Sequence, residues 1–497
     1  MRSFFKKFGA VFCVVIIATV AVFVTGCGFG SVVKKASKNL DTYTIDASFD
    51  ESSNTLTGKQ KVLYKNTTGA TLDDICFHLF AKAFRGGAKI RPWTSLTEAR
   101  CFPDGVNFGD MTVTLAQVSG QETKFVFDGE DENILKIELS EPLEKGEVAE
   151  INIEWVTKIA NCEHRLGVNK DCVNLSGFFP RACEFEDGEF DKTPYYATGD
   201  PFNFGVANFN VNLTLPAEYV VASSGTVKTI NKNGGRNTYV ISGLALRDFA
   251  AVCGKNLIKI SEKVGNTTVN YFCDKNKENP QNDLKLAARA VNFYNATFFE
   301  YPYRELNIVE SPFMQGGMEF SNLCLISSNV NDATEHNKII AHEVAHQWWY
   351  GVCGNNQIKD AWFDEGLAEI STFMFFDKYR EYGPTYSSSI QDAQTGYNLF
   401  LEVFESIEIP VKKQMNLSVN EYSNEYEYTY MVYVKGALMF DEIKSSVGDK
   451  AFVRALKNLY KKHKFEKITK DMVADSFSGS AQKRVNEILN KYINGEV

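Results

Sequence analysis

From Tyr43 to about Leu257 the chain alternates polar and apolar residues with a period of two. Thr42–Phe49 and Lys59–Tyr64 follow this pattern on either side of Ser52-Ser-Asn-Thr, which reads as a turn. Val206–Leu215 continues it and stops at Pro216, and Tyr219–Gly225 reads as another short strand with a turn. Short strands at this spacing predict an antiparallel domain of two sheets. After Asn256 the period lengthens. Leu284, Ala287, Ala290, Val291 and Tyr294 recur at helical spacing within Gln281–Phe299. Leu306–Glu310 and Leu323–Ser327 read as strands on either side of Gly316-Gly317. Ile340, Val344 and Trp348 then recur every four residues, and no Pro or Gly interrupts Ile339–Tyr350. Further helical stripes run through Ile370, Phe373 and Met374, through Glu427–Phe440, through Phe452, Leu456, Leu459 and Tyr460, and through Val485, Ile488, Leu489 and Ile493. The predicted class is α+β and multidomain: an N-terminal β domain over 41–257, then a mainly helical domain over 258–497.

The first residues have a different pattern. Arg2, Lys6 and Lys7 precede an apolar run from Phe8 to Val24, which ends in Val24-Thr25-Gly26-Cys27. A charged start, an apolar core and a small-residue exit describe a secretory signal over 1–27. Its end resembles a bacterial lipobox. That resemblance implies cleavage before Cys27, lipid on the Cys27 sulfur, and a chain held at the extracytoplasmic face of the cell membrane. The competing reading is an uncleaved membrane helix. Residues 28–40 read as a linker.

Composition narrows the picture. At 497 residues the chain is too long for one core, and 44% hydrophobic with 23% charged residues is a globular composition. The net charge of −9 is spread without a run, which argues against nucleic acid as a partner. Once Cys13 and Cys27 are set aside from 11 cysteines, an odd number remains, so at least one is unpaired. A disulfide among Cys162, Cys172 and Cys183 is one open pairing.

The chemistry centres on His342-Glu343-Val-Ala-His346. Two histidines at i and i+4 share a helix face and can hold one metal ion, while Glu343 falls beside the metal as a candidate base. A hydrolytic zinc site needs a third protein ligand and an open position. Glu365, in Trp362-Phe-Asp-Glu365-Gly, opens the next helical stretch after Gly351 and Gly354-Asn-Asn. A helix–turn–helix hairpin would return it to the histidines. Glu369, one turn on, is placed to support a ligand histidine or to stay solvated. Asp364 reads as a turn or helix-start group. His78 reads as a packed strand residue, His164 and His463 carry no metal spacing, and His336, six residues before His342, would face elsewhere on a helix.

His-Glu-x-x-His followed by that downstream Glu resembles the zinc aminopeptidases of the aminopeptidase N family, which includes an epoxide hydrolase branch. Phe77-His78-Leu79, Gly199-Asp200-Pro201-Phe202 and Asp248-Phe249-Ala250 are similar to short motifs of that family's saddle-shaped N-terminal domain. The resemblance implies a thermolysin-like catalytic domain with one Zn2+ per chain, held by His342, His346 and Glu365. Gly316-Gly317-Met318-Glu319-Phe320 resembles the exopeptidase motif Gly-x-Met-Glu-Asn, which implies that Glu319 binds the substrate's free amino group and that Gly316, Gly317 and Met318 line its backbone. Phe320 departs from the family's Asn, with an expected effect on the cleft wall or on Glu319. Tyr433-Val-Lys435-Gly436 matches a Tyr-x-Lys-Gly block whose Tyr stabilises the oxyanion; without the resemblance, Tyr428 and Tyr430 are equal candidates. Longer relatives carry a C-terminal helical domain, and a chain stopping at Val497 leads us to expect a more open cleft, or one completed by another subunit.

The expected activity is therefore removal of the N-terminal residue from peptides, with Glu343 as base and Tyr433 as oxyanion donor. The alternatives are a zinc endopeptidase with an open cleft, the epoxide hydrolase chemistry, and a non-catalytic, lipid-anchored peptide-binding protein. Oligomeric state is not legible.

Overall fold

The computed structural model describes residues 30–170 and 172–497. The signal segment and Cys27 lie outside the described residues. The N-terminal half is built on an eight-stranded sheet, ordered Thr226–Asn233, Arg236–Leu246, Ala207–Pro216, Thr42–Asp50, Thr55–Lys65, Val148–Lys158, Asp110–Val118 and Gln121–Glu122. Two four-stranded sheets pack with it, one around Leu72–His78 and Ile134–Leu143, the other around Ala251–Gly254 and Cys172–Leu175. The period-two pattern has its physical basis here. Along Thr55–Lys65 buried and exposed residues alternate, with Leu56, Val62 and Tyr64 turned to the core.

Two expectations need correction. The β half is built of more than two sheets, and the large sheet is not wholly antiparallel: Thr42–Asp50 runs parallel to Ala207–Pro216, with Tyr43 opposite Phe209 and Ile45 opposite Val211. The two strands are far apart in sequence, which leaves room for the long crossover that parallel neighbours require.

Leu257–Val264 and Thr267–Asp274 form a hairpin that opens a five-stranded sheet, completed by Glu305–Ser311, Leu323–Ser327 and, at its edge, Gly317–Met318. The helices that matter for the site are α1 (Pro280–Thr297), α2 (Ala333–His346), α3 (Ala361–Lys378) and α4 (Lys435–Val447). The α2 helix starts on Asp332, whose side chain accepts from Glu335 N. It ends in a π-helical turn, Gln347–Val352, where Trp349 and Tyr350 leave helical geometry. The expected helix over 427–440 is continuous, with a π segment at Tyr430–Val434 leading straight into α4. Many-stranded β half first and helical half second, the architecture is α+β.

The two halves share a buried seam. Arg247, fully buried, donates to the carbonyls of Tyr350 at 2.9 Å, Phe204 at 2.7 Å and Glu466 at 3.2 Å. Gly354 is obligatory beside it, since a Cβ there would lie 2.0 Å from the guanidinium carbon. Phe320 also belongs to this seam. Its ring is buried and faces Phe202, with centroids 6.1 Å apart, so it forms no part of the cleft wall expected of it.

Among the described residues, no two of the nine cysteines are joined in a disulfide. Cys162 lies beside Cys101, Cys172 lies opposite Gly254, and Cys183 N donates to Cys76 O.

Candidate active site

The α2 and α3 helices lie side by side and enclose a cleft of about 400 Å³ at the seam with the β half. His342 and His346, one turn apart, both aim Nε2 into it, with the two nitrogens 2.9 Å apart. The hairpin through Gly351–Asp360 returns Glu365, whose Oε2 lies 3.1 Å from His342 Nε2 and 3.2 Å from His346 Nε2. Three lone-pair donors therefore converge on one point. Ligands about 2.1 Å from zinc in a tetrahedron stand roughly 3.4 Å from each other, so the donor set fits that ion. The second ring nitrogens face acceptors. His342 Nδ1 lies 3.2 Å from Glu369 Oε1, and His346 Nδ1 lies 3.3 Å from the Trp349 carbonyl. These contacts leave Nε2 as the metal-facing atom. Glu369 is itself paired with Lys338 at 3.1 Å. It therefore supports His342 instead of standing in solvent.

Glu343 is buried beside this triangle, and its Oε2 has no hydrogen-bond partner. Burial pushes its carboxyl up to about 7, against the pull of His342 and His346. Gly317 makes the space it needs, since a Cβ at that position would lie 2.1 Å from Glu343 Oε1. Gly317–Met318 pairs with Ile326 and Leu325 on one side only, so this edge strand can take a further strand on the other.

Tyr433 enters from the π segment before α4. Its hydroxyl donates to Glu365 Oε1 at 2.6 Å, and its ring stacks on His342 with centroids 6.1 Å apart. Of the competing tyrosines, Tyr430 stacks on Phe400 at 4.5 Å, away from the ligands. Tyr428 lines the cleft, and its buried hydroxyl has no partner.

At the inner end stand three buried carboxylates. Asp200, Glu319 and Glu365 each bring an oxygen within 4.8 Å of the others. Burial raises the Glu319 carboxyl well above the ordinary range despite His346, and Asp200, Glu343 and Glu365 add to the rise. Gln357 bridges Glu319 and Asp364, while Asn355 donates to Asp364 at 2.7 Å. Burial and the neighbouring Glu365 lift Asp364 to about 8, so it serves as a buried strut of the α3 start. Arg165 is buried and bonded to Asp200.

His342, Glu343, His346, Glu365, Tyr433, Glu319, Gly316 and Gly317 thus all line one cleft. Met318 is fully buried behind the edge strand. Asp200, Arg165 and Gln357 were missed as site residues. Asp200 was visible in Gly199-Asp200-Pro201-Phe202, but only as a motif of the β half; nothing in the sequence signals Arg165 or Gln357. The remaining histidines sit elsewhere. His78 is buried against Phe80 at 4.8 Å, and burial lowers it to about 4. His164 faces Pro92 O at 3.0 Å, and His463 faces Glu466 at 2.7 Å.

Comparison with known proteins agrees with this geometry. Residues 282–492 match the profile of the peptidase family M1 domain. The matched span contains His342, His346, Glu365 and Tyr433. Over 394 residues the chain is 24% identical to Aminopeptidase 2 of Candida albicans, covering 72% of this chain and 40% of that protein. It is 24% identical over 226 residues to Aminopeptidase N of Lactobacillus delbrueckii subsp. lactis, covering 42% of this chain and 26% of that protein. The chain therefore spans less than half the length of these relatives. An M1 zinc metallopeptidase from Deinococcus radiodurans, solved with Tyr-Ser-Ala, superposes with a TM-score of 0.65 at 16% identity over 92% of this chain and 94% of that one. Both halves share the fold of that structure.

Proposed function

We propose that this protein is a zinc aminopeptidase that removes single residues from the free N-terminus of peptides. The observation that carries the reading is the pair of buried carboxylates, Asp200 and Glu319, set against Glu365 of the metal-ligand triangle and close to Glu343, whose Oε2 is unpartnered. Buried acids at such close range need a cation among them, and the α-ammonium of a peptide is one. The Tyr-Ser-Ala complex of the Deinococcus radiodurans enzyme and the curated aminopeptidases support the same reading.

His342, His346 and Glu365 would hold the ion, which when bound supplies Lewis acidity toward the scissile carbonyl and the attacking water. Glu319 and Asp200 hold the ammonium and so set the distance from the N-terminus to the cleaved bond. The substrate backbone lies against Gly316-Gly317, on the open side of the edge strand. Glu343 takes the proton from the attacking water and passes it to the leaving amine. Tyr433 turns its hydroxyl from Glu365 to the oxygen that becomes negative. Zinc at one ion per chain and attachment to the membrane through lipid on Cys27 complete the proposal; the N-terminal sequence pattern supports the anchor.

The test is hydrolysis of aminoacyl fluorogenic amides with and without an N-acetyl block, before and after chelation. Chelator-sensitive cleavage of free-amine substrates alone supports the aminopeptidase. Equal cleavage of blocked substrates would make it an endopeptidase.

A further inference from the structure

Away from the catalytic residues, two buried cysteines meet where the β half builds the cleft wall. Cys101 closes the short helix Glu98–Cys101, and Cys162 lies in the loop after Val148–Lys158. Both side chains are buried, at 0% and 2% exposure. Glu163 N donates to Cys101 O at 2.8 Å. The Cα atoms of Cys101 and Cys162 are each two bonds from an end of that hydrogen bond, so they are at most about 7.6 Å apart, a range that includes the roughly 4.4–6.8 Å a disulfide spans. The side chains also influence one another: the neighbouring Cys101, with burial, holds the Cys162 thiol well above its ordinary value. Cys162 Sγ also donates to Leu166 O at 3.3 Å, which orients it. Cys76 and Cys183 make a different case. Cys183 N donates to Cys76 O at 2.9 Å, but the Cys76 thiol is turned to Asp74 at 3.8 Å.

The position of the pair gives it a role. Thr97 and Arg100, beside Cys101, line the cleft. So does Arg165, three residues after Cys162, which is bonded to Asp200. The backbone bond from Glu163 to Cys101 and the nearness of the two thiols are the ties seen between the short helix and the Arg165 segment.

We propose that Cys101 and Cys162 form a disulfide when the chain folds in the presence of a small-molecule disulfide, stapling the Thr97–Arg100 wall of the cleft to the segment that carries Arg165. The reaction is thiol–disulfide exchange. The thiolate of one cysteine attacks oxidised glutathione, releasing one glutathione and leaving a mixed disulfide; the second cysteine then attacks the bound sulfur and releases the other glutathione. One S–S bond forms and one is broken. The two cysteine protons end on the two glutathiones, and the two electrons reduce the oxidised glutathione. Because both sulfurs are buried in the finished fold, exchange takes place before the wall closes.

The test needs no variant. The full chain is unfolded with reductant, refolded in a reduced and oxidised glutathione buffer, alkylated and digested for mass spectrometry. The expected result is a peptide linked through Cys101 and Cys162 that accounts for most of both residues and disappears on reduction. Recovery of both cysteines as separately alkylated peptides, or linkage of either to a different cysteine, overturns the proposal. A second measurement reads the staple itself. The thermal midpoint of the oxidised protein should lie above that of the reduced protein, and Cys101→Ser should abolish this difference; a difference that persists in Cys101→Ser assigns it elsewhere and overturns the role. Neither measurement depends on the peptidase reading.

Discussion

Gly366 and Gly436 touch. A Cβ on Gly366 would lie 3.1 Å from the Gly436 carbonyl carbon, and one on Gly436 would lie 3.0 Å from Gly366 Cα. The α3 and α4 helices cross at this point with their backbones in contact. Glu365 immediately precedes Gly366, and Tyr433 lies one turn before Gly436, so the crossing sets the 2.6 Å bond from Tyr433 to Glu365. We expect Gly436→Ala to push the helices apart, destabilise the protein by about 1–3 kcal/mol and lower kcat while zinc remains bound. Denaturant melts, kcat and metal content measured on one preparation check this. A variant with unchanged kcat would show that the crossing does not position Tyr433.

Glu343→Gln should retain zinc, because Glu343 is not one of the three converging donors. Turnover should fall by about 10²–10⁴-fold, the usual contribution of a positioned base. Elemental analysis and steady-state kinetics decide it. Substantial remaining activity would move the base elsewhere.

Tyr433→Phe should lower kcat by roughly 10²–10³-fold with little change in KM, the pattern of a donor used only at the oxyanion. Tyr428→Phe is the comparison, since Tyr428 lines the same cleft without touching a ligand carboxylate. A larger kcat loss in Tyr428→Phe would reverse the assignment.

Glu319→Gln should raise KM for free-amine substrates and narrow the discrimination against N-acetylated ones. Gln357→Ala should shift the same ratio less, because Gln357 acts by holding Glu319. If both variants discriminate as the parent does, the amine is bound elsewhere.

His336 gives a pH signature independent of the metal. Its Nε2 lies 3.3 Å from Glu310 and 3.6 Å from Asp283, and Lys277 pairs with the same two acids at 2.7 and 3.0 Å. Tyr271 donates to Glu310 at 2.6 Å. Burial alone would lower the imidazole, but Asp283 and Glu310 raise it from 6.5 to about 9. Because the folded-state value is the higher one, the imidazolium's contribution to stability is complete below about 6.5 and is lost as pH rises through about 9. His336→Gln should therefore cost stability at pH 6 and almost none at pH 10. An equal cost at both would mean that the charge contributes nothing.

Local patterns reached far into this molecule. The i, i+4 histidines were legible because helix geometry fixes them within a few residues, and the return of Glu365 because Gly351 and Gly354-Asn-Asn signal a turn between two helical stretches. The strands around Tyr43 and Phe209 were legible as strands, but their parallel pairing was not, since nothing local specifies a partner so distant in sequence. Arg165 and Gln357 were invisible for the same reason. Arg165 acquires its role only when the fold brings it to Asp200, and Gln357 only when it meets both Glu319 and Asp364. The π turns at Gln347–Val352 and Tyr430–Val434 sit inside ordinary helical periodicity, and tertiary packing overrode it. Phe320 was read as a change in the cleft, whereas its ring answers to Phe202 across the seam.

Arg247 carries a consequence for how the chain unfolds. Its guanidinium is satisfied by carbonyls of three separate segments, two of them in the helical half. A separated β half would bury or expose that charge without Tyr350 O and Glu466 O to receive it. The halves should therefore melt in one cooperative transition instead of two, and a chain cut between them should yield neither half as a stable fragment.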